Sequence, residues 1–271
     1  MNLRAIEVDD GFWNLRGSYR VAGILELGTH MSLVRRANGR YLALDACGLV
    51  PETRALLDEK TRGGEDLDAF LHLHPFHTLH VRALHQLYPR ARLHGTARHH
   101  AQLADLPWEA LRTEDPALHA HFAADLDFTV PRGVDLVTPN PRVHFGSVLA
   151  IHRATRTLHV DDTLVHARLP RALRAFGRDV TRFHPGLGSA LRREPGAANA
   201  FRSWARELIE LAATLRNLCA AHTSTLLARS NTGPPIAARI EDALRRAERT
   251  LRAHEREHET RGQARRDRTA P

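Results

Sequence analysis

Short apolar runs separated by turn signals fill the first half of the chain. Val21–Leu27 and Met31–Arg36 are each predicted as strands, and Asn38-Gly39 is a hairpin signal returning the chain through Tyr41-Leu-Ala-Leu-Asp45. Pro51–Lys60 is predicted as a short helix with proline in its first turn. Leu67–Leu73 is apolar on both faces, the pattern of an interior strand. Pro75 is expected to open a helix that runs to Leu87 and that Pro89 closes. A short strand at Ala91–Gly95 and a helix over His99–Leu111 follow. Phe128–Pro131 and Val134–Thr138 are strand candidates, and Ser147–His152 is expected to pair with Thr157–Asp161 across Arg153–Arg156. Phe201–Arg216 has an amphipathic period, and Leu218–His222 is a short buried strand. Ser230–Pro235 breaks the chain. Beyond it Ile236, Ile240, Leu244, Ala247 and Leu251 form one stripe of a charged helix extending to Glu259, and the last dozen residues are expected to be disordered. Strands alternating with helices indicate an α/β protein. Residues 1–228 are expected to form the main domain and 229–271 a charged helix with a basic tail.

With 271 residues the chain is long enough to bury a full core. No run is apolar enough to cross a membrane, the N-terminus is too acidic for a secretion signal, and Cys47 and Cys219 have no paired spacing. These features point to a reduced, cytoplasmic protein. The net charge of +8 is almost wholly arginine, Lys60 being the only lysine, and the excess is concentrated beyond Arg229. Such a tail can contact nucleic-acid phosphates, although its glutamates and its aliphatic stripe favour a helix packed on the rest of the chain.

The chemistry is concentrated in the histidines. His72, His74, His77 and His80 fall within nine positions where a strand gives way to the next element. A strand places i and i+2 on one face, so His72 and His74 can point at one spot, and imidazole is the commonest ligand of zinc. Three other strand ends carry His144, Asp162 and His222. Metal sites commonly collect at such ends. His159 alternates away from the face of Asp162, and Asp161 can orient a ligand histidine through its second ring nitrogen. His119 and His121 lie in a helical context, where i and i+2 diverge.

In this order the residues resemble the metallo-β-lactamase-fold hydrolases, whose motif is His-x-His-x-Asp-His after a strand, then a histidine, an aspartate at a strand end and a final histidine. His72-Leu-His74-Pro-Phe76-His77, His144 ahead of Gly146-Ser147-Val148, His159-Val-Asp161-Asp162 and Ala220-Ala221-His222 match over residues 18–228. The resemblance implies a four-layer αββα sandwich with the metal at one edge. It implies that His72, His74 and His144 hold a first ion, that His77 and His222 hold a second, and that Asp162 bridges them, Asp162 and His77 carrying the chemistry. The ions would be zinc, one or two, with iron or manganese as alternatives.

Phe76 departs from the motif, which has an aspartate there. Three consequences stay open: a single ion held by histidines, replacement of the missing group by His80, or loss of hydrolysis with retention of metal. The leading expectation is a metallo-hydrolase that activates water against a small ester, thioester, lactone or phosphoester, with an anionic substrate suited to a helix start at Pro75. The alternatives are a non-hydrolytic metal-binding relative and a nucleic-acid processing protein.

Overall fold

The computed structural model describes residues 4–21, 25–140, 142–168, 179–222 and 224–269. The first sheet contains β1 (Ala5–Asp9), β2 (Phe12–Val21), β3 (Leu25–Arg35), β4 (Tyr41–Leu44), β5 (Leu67–Leu71) and β6 (Arg92–His94), in that spatial order. Its first four strands form an antiparallel meander, and β4, β5 and β6 run parallel. Parallel neighbours need crossovers, which α1 (Pro51–Thr61) and α2 (Val81–Leu87) supply. Two short helices, α3 (Ala97–Gln102) and α4 (Pro116–His121), lead into the second sheet. There β7 (Leu126–Thr129), β8 (Leu149–His152) and β9 (Thr157–Val160) form a meander. The hairpin β10 (Leu164–Ala167) and β11 (Val180–Phe183) stands apart, followed by α5 (Leu187–Ala190) and α6 (Ala197–Leu211). The chain then returns through β12 (Asn217–Ala220), parallel to β9, and β13 (Thr225–Leu226) before ending in α7 (Ile236–Thr269).

Three apolar layers separate four structural ones. Leu42, Leu44, Ala69 and Leu71 of the first sheet meet Val148, Ala150 and Cys219 of the second. The other face of the first sheet, with Leu33, Ala43 and Phe70, packs on Leu57 of α1 and Val81 and Leu84 of α2. Leu149, Leu158, Val160 and Leu218 pack on Phe201, Trp204 and Leu208 of α6 and Ile236, Ile240 and Leu251 of α7. This is the expected αββα sandwich. Period-2 alternation drives it: Phe70 faces the helices while Ala69 and Leu71 face the partner sheet.

Several elements differ from the sequence expectation. Pro75 opens a turn and not a helix, with His77 N–H donating to His74 O at 3.0 Å and Thr78 N–H to Phe76 O at 3.0 Å; α2 starts only at Val81. The turn leaves no helix N-terminus at Pro75 to favour an anionic substrate. The helix expected over His99–Leu111 ends at Gln102, ahead of Pro107. Val134 makes only an isolated bridge with Leu191, so Val134–Thr138 is not a strand. The helix expected to end at Glu259 continues to Thr269, where disorder was anticipated. The strand expected over Val21–Leu27 is interrupted at 22–24, which lie outside the described residues. No helix among the described residues is long and apolar enough to cross a membrane.

Candidate metal centre

The strand ends of both sheets converge at one edge of the sandwich. β5 ends at Leu71, and the turn that follows carries His74 and His77. β9 ends at Val160, immediately before Asp161 and Asp162, and β12 ends two residues before His222. His74, His77 and Asp162 bring ligand atoms within 4.8 Å of one another. His74 Nε2 lies 3.1 Å from Asp162 Oδ2, and His222 Nε2 lies 3.0 Å from Asp162 Oδ1. The His74 and His77 rings stack at 4.1 Å, and the His222 ring stands edge-on to His77 at 5.5 Å. The side chain of His74 is fully buried, whereas those of His77 and His222 are 17% and 23% exposed, so the cluster opens to solvent on their side.

The backbone holds these side chains in place. His222 has φ 61°, a left-handed conformation that is uncommon for histidine. Its segment is pinned by a bridge to Gly28, and its Nδ1–H donates to the Gly28 carbonyl. That bond leaves Nε2 to face Asp162. Asp45, at φ 61°, accepts the N–H groups of Leu73 and His74 on Oδ1 at 2.8 and 3.2 Å, fixing the chain that bears His74. His77 Nδ1 lies 3.4 Å from Asp161 Oδ1, which leaves its Nε2 to the cluster.

The charges are strongly coupled. Burial alone would raise the Asp162 carboxyl and lower His77, but both move the other way. His74 and His222 hold Asp162 well below the usual carboxylate range. The Asp161 carboxylate, with Asp162 and Asp45, brings His77 up to about 9. His184, in the loop after β11, is lowered by burial while Asp162 pulls it upward, so it too senses the cluster.

His74 Nε2 is buried and makes no hydrogen bond, although a carboxylate oxygen is 3.1 Å away. A buried ring nitrogen beside an oxygen to which it makes no hydrogen bond fits two ligands of a common cation once that nitrogen is deprotonated. Three imidazoles and one carboxylate are a donor set that zinc accepts. Phe76 N–H donates to His74 Nδ1 at 3.2 Å, a hydrogen bond that is lost when Nε2 binds an ion and the ring proton moves to Nδ1. On this evidence the residues fit a divalent ion.

The remaining histidines singled out in the sequence lie elsewhere. His72 continues the Phe70 face of β5, and its ring stacks on Phe70 at 6.0 Å and meets Trp108 edge-on at 5.8 Å. Both of its ring nitrogens are buried without a hydrogen-bond partner, and burial brings it down to about 4. His144 stacks on Phe76 at 4.2 Å and is 6.3 Å from His74, ring to ring. Neither belongs to a converging ligand group among the described residues. His80 caps α2 beside Gly48 and stands outside those groups as well.

Of a polar layer directly beneath the cluster, sequence reasoning singled out only His159, on the face away from Asp162. Asn14 of β2, His30 and Ser32 of β3, and His159 of β9 all point into the gap between the sheets, where each is buried. Asn14 Nδ2 is 3.2 Å from His30 Nδ1 and donates to Ser32 Oγ at 3.0 Å, and Ser32 Oγ is 2.9 Å from His159 Nδ1. The signal was available: His30 and Ser32 alternate with the apolar Met31 and Leu33.

No protein-family model matches the chain, and no curated protein matches it. Among solved structures it is similar to a metallo-β-lactamase from Erythrobacter litoralis with β-mercaptoethanol in its active site, at 12% identity over 90% of this chain and 96% of that one, TM-score 0.58. It is similar to a metallo-β-lactamase from Hirschia baltica at 10% identity over 88% and 96%, TM-score 0.54. It is also similar to the FIM-1 enzyme from Pseudomonas aeruginosa in its mono-zinc form, at 10% identity over 90% and 95%, TM-score 0.54. The chain has the metallo-β-lactamase fold.

Proposed function

We infer that this protein is a metal-dependent hydrolase acting on a small ester, thioester, lactone or phosphoester. The observation that carries the reading is the meeting of His74, His77, Asp162 and His222 at the strand ends of this fold. These four would hold one divalent ion, zinc by donor chemistry, with iron or manganese as alternatives. When bound, such an ion polarises a carbonyl or phosphoryl oxygen and makes water more acidic.

The chain's own residues do the rest. Asp161 holds His77 by its Nδ1, and Gly28 holds His222 by its Nδ1, so that both present Nε2. Phe76 has no proton-accepting group, and its ring covers one face of His144. His184, in the loop after β11, is coupled electrostatically to Asp162. Arg98 lies with its guanidinium 4.4 Å over the Phe76 ring, and its buried Nε has no acceptor. The positive charge of Arg98 beside Phe76 suits a substrate with an anionic group.

Phe76 also favours a second reading, a metal-binding relative without hydrolytic activity. Protein stripped of metal and reloaded with zinc, then assayed on ester, thioester, lactone and phosphodiester panels, separates the two. Turnover that returns with metal and drops at least about 100-fold in Asp162→Asn supports the hydrolase. Tight metal binding with no turnover on any panel supports the second reading.

A further inference from the structure

We propose that His30, His159, Asp161 and Asp45 form a second, inner cation site between the two sheets, distinct from the His74–His77–Asp162–His222 cluster. His30 Nε2 is 3.1 Å from Asp161 Oδ1. His159 Nε2 is 3.2 Å from Asp45 Oδ2 and 3.9 Å from Asp161 Oδ2. The ligand atoms of His30, His159 and Asp161 all lie within 4.8 Å of one another. Donors held by bonds of about 2.0–2.1 Å in a tetrahedron stand roughly 3.3 Å apart, and the measured separations bracket that value.

Three further observations point to a ligand. Asp161 Oδ2 is buried and accepts no hydrogen bond. Asp45 and Asp161 are both fully buried carboxylates; the one imidazolium beside them, His77, lies 3.4 Å from Asp161 Oδ1 on the outer side and serves a single charge of the two, while Arg16, which senses Asp161, commits its guanidinium to Ala220 O and Thr225 Oγ1. Buried carboxylates require a cationic partner. The outer ring nitrogens already have neighbours of the kind metal-bound imidazoles use, Ser32 Oγ at 2.9 Å from His159 Nδ1 and the Asn14 carboxamide at 3.2 Å from His30 Nδ1. A half-turn of that carboxamide presents Oδ1 to the His30 Nδ1–H. Two imidazoles and two carboxylates without thiolate suit zinc or a neighbouring divalent first-row metal. The His30 and His159 rings stack at 4.3 Å with their planes 13° apart. Because the site is closed to solvent, its ion is structural and enters as the sheets assemble.

The site does not depend on the hydrolase reading, and one experiment keeps the two apart. Metal is counted by elemental analysis on full-length protein loaded with zinc, alongside His30→Gln, His159→Gln and the double variant His74→Ala/His222→Ala. The expected result is about two ions per wild-type chain, one lost in each inner variant and the other lost in the outer double variant. One ion in wild type that the outer double variant loses and the inner variants keep overturns the inner site. One ion that only the inner variants lose sustains it and overturns the outer assignment. If the inner variants do not fold, the imidazole tautomers of the zinc-loaded wild type decide. Long-range ¹⁵N–¹H correlation showing Nδ1–H with metal-bound Nε2 on His30 and His159 supports the site, and Nε2–H on both rings reduces the layer to a hydrogen-bond relay.

Discussion

Phe76 and Asp161 show how single residues set the chemistry. At position 76 an apolar ring stacks on His144 and carries Arg98 on its other side. Phe76→Asp therefore exposes the face of His144 and adds a proton acceptor. Under the hydrolase reading this substitution raises turnover, and a well-placed acceptor is worth on the order of 100-fold; unchanged activity would tell against the reading. Asp161 acts by holding His77. Asp161→Asn removes the partner of His77 and, with it, a donor of the proposed inner site, so zinc retention is expected to weaken at least about 10-fold in a chelator competition. The motif residues His74, His77, Asp162 and His222 were legible in the sequence because each sits just past a strand end. The burial of His72 against Phe70 and Trp108 was not, because spacing gives i and i+2 a common face without saying what covers that face.

At the scale of the element, the strands were easier to read than the turns. Short apolar runs bounded by turn signals identified β4, β5, β8, β9 and β12, and alternation encoded the polar layer of Asn14, His30, Ser32 and His159. That layer went unrecognised because its partners come from β2, β3 and β9, far apart in sequence. Pro75 was misjudged for a local reason: proline starts turns as readily as helices, and His74 O is capped here by His77 N–H at 3.0 Å. Asp45 ties β4 to that turn through two backbone N–H groups. Asp45→Ala leaves both without a partner and is expected to cost about 2–4 kcal/mol in urea unfolding. A loss below about 0.5 kcal/mol would show that the turn holds itself. His166 of β10 is buried, with Nδ1 2.9 Å from Thr181 Oγ1 of β11, and desolvation, helped by nearby Arg239, brings it down to about 4. The unfolded chain takes up this proton first as pH falls. Its contribution is therefore complete above about pH 6.5 and lost toward pH 4, up to about 3 kcal/mol. His166→Gln should flatten the fall in the urea midpoint across that range.

For the whole molecule, α7 is the element whose attachment was only partly legible. Its aliphatic stripe predicted a packed helix, and the stripe does join the core of α6. The polar clamp was hidden: Arg202 of α6, nearly buried, binds both Glu248 and Glu255 of α7. Two of the glutamates that appeared to dilute the basic tail are thus committed inward. Arg202→Ala is expected to destabilise the fold by about 1–3 kcal/mol, because two partly buried carboxylates lose their donor. A change within about 0.5 kcal/mol in urea unfolding would mean that the apolar stripe alone seats the helix.

The account rests on four side chains, from three separate strand ends, sharing one cation. Anomalous diffraction at the zinc edge, from crystals grown with zinc, tests this most directly. A peak is expected about 2.0–2.2 Å from a ring nitrogen of His74, His77 and His222 and from a carboxylate oxygen of Asp162. A fully loaded crystal with no anomalous density among those four residues would contradict the central claim.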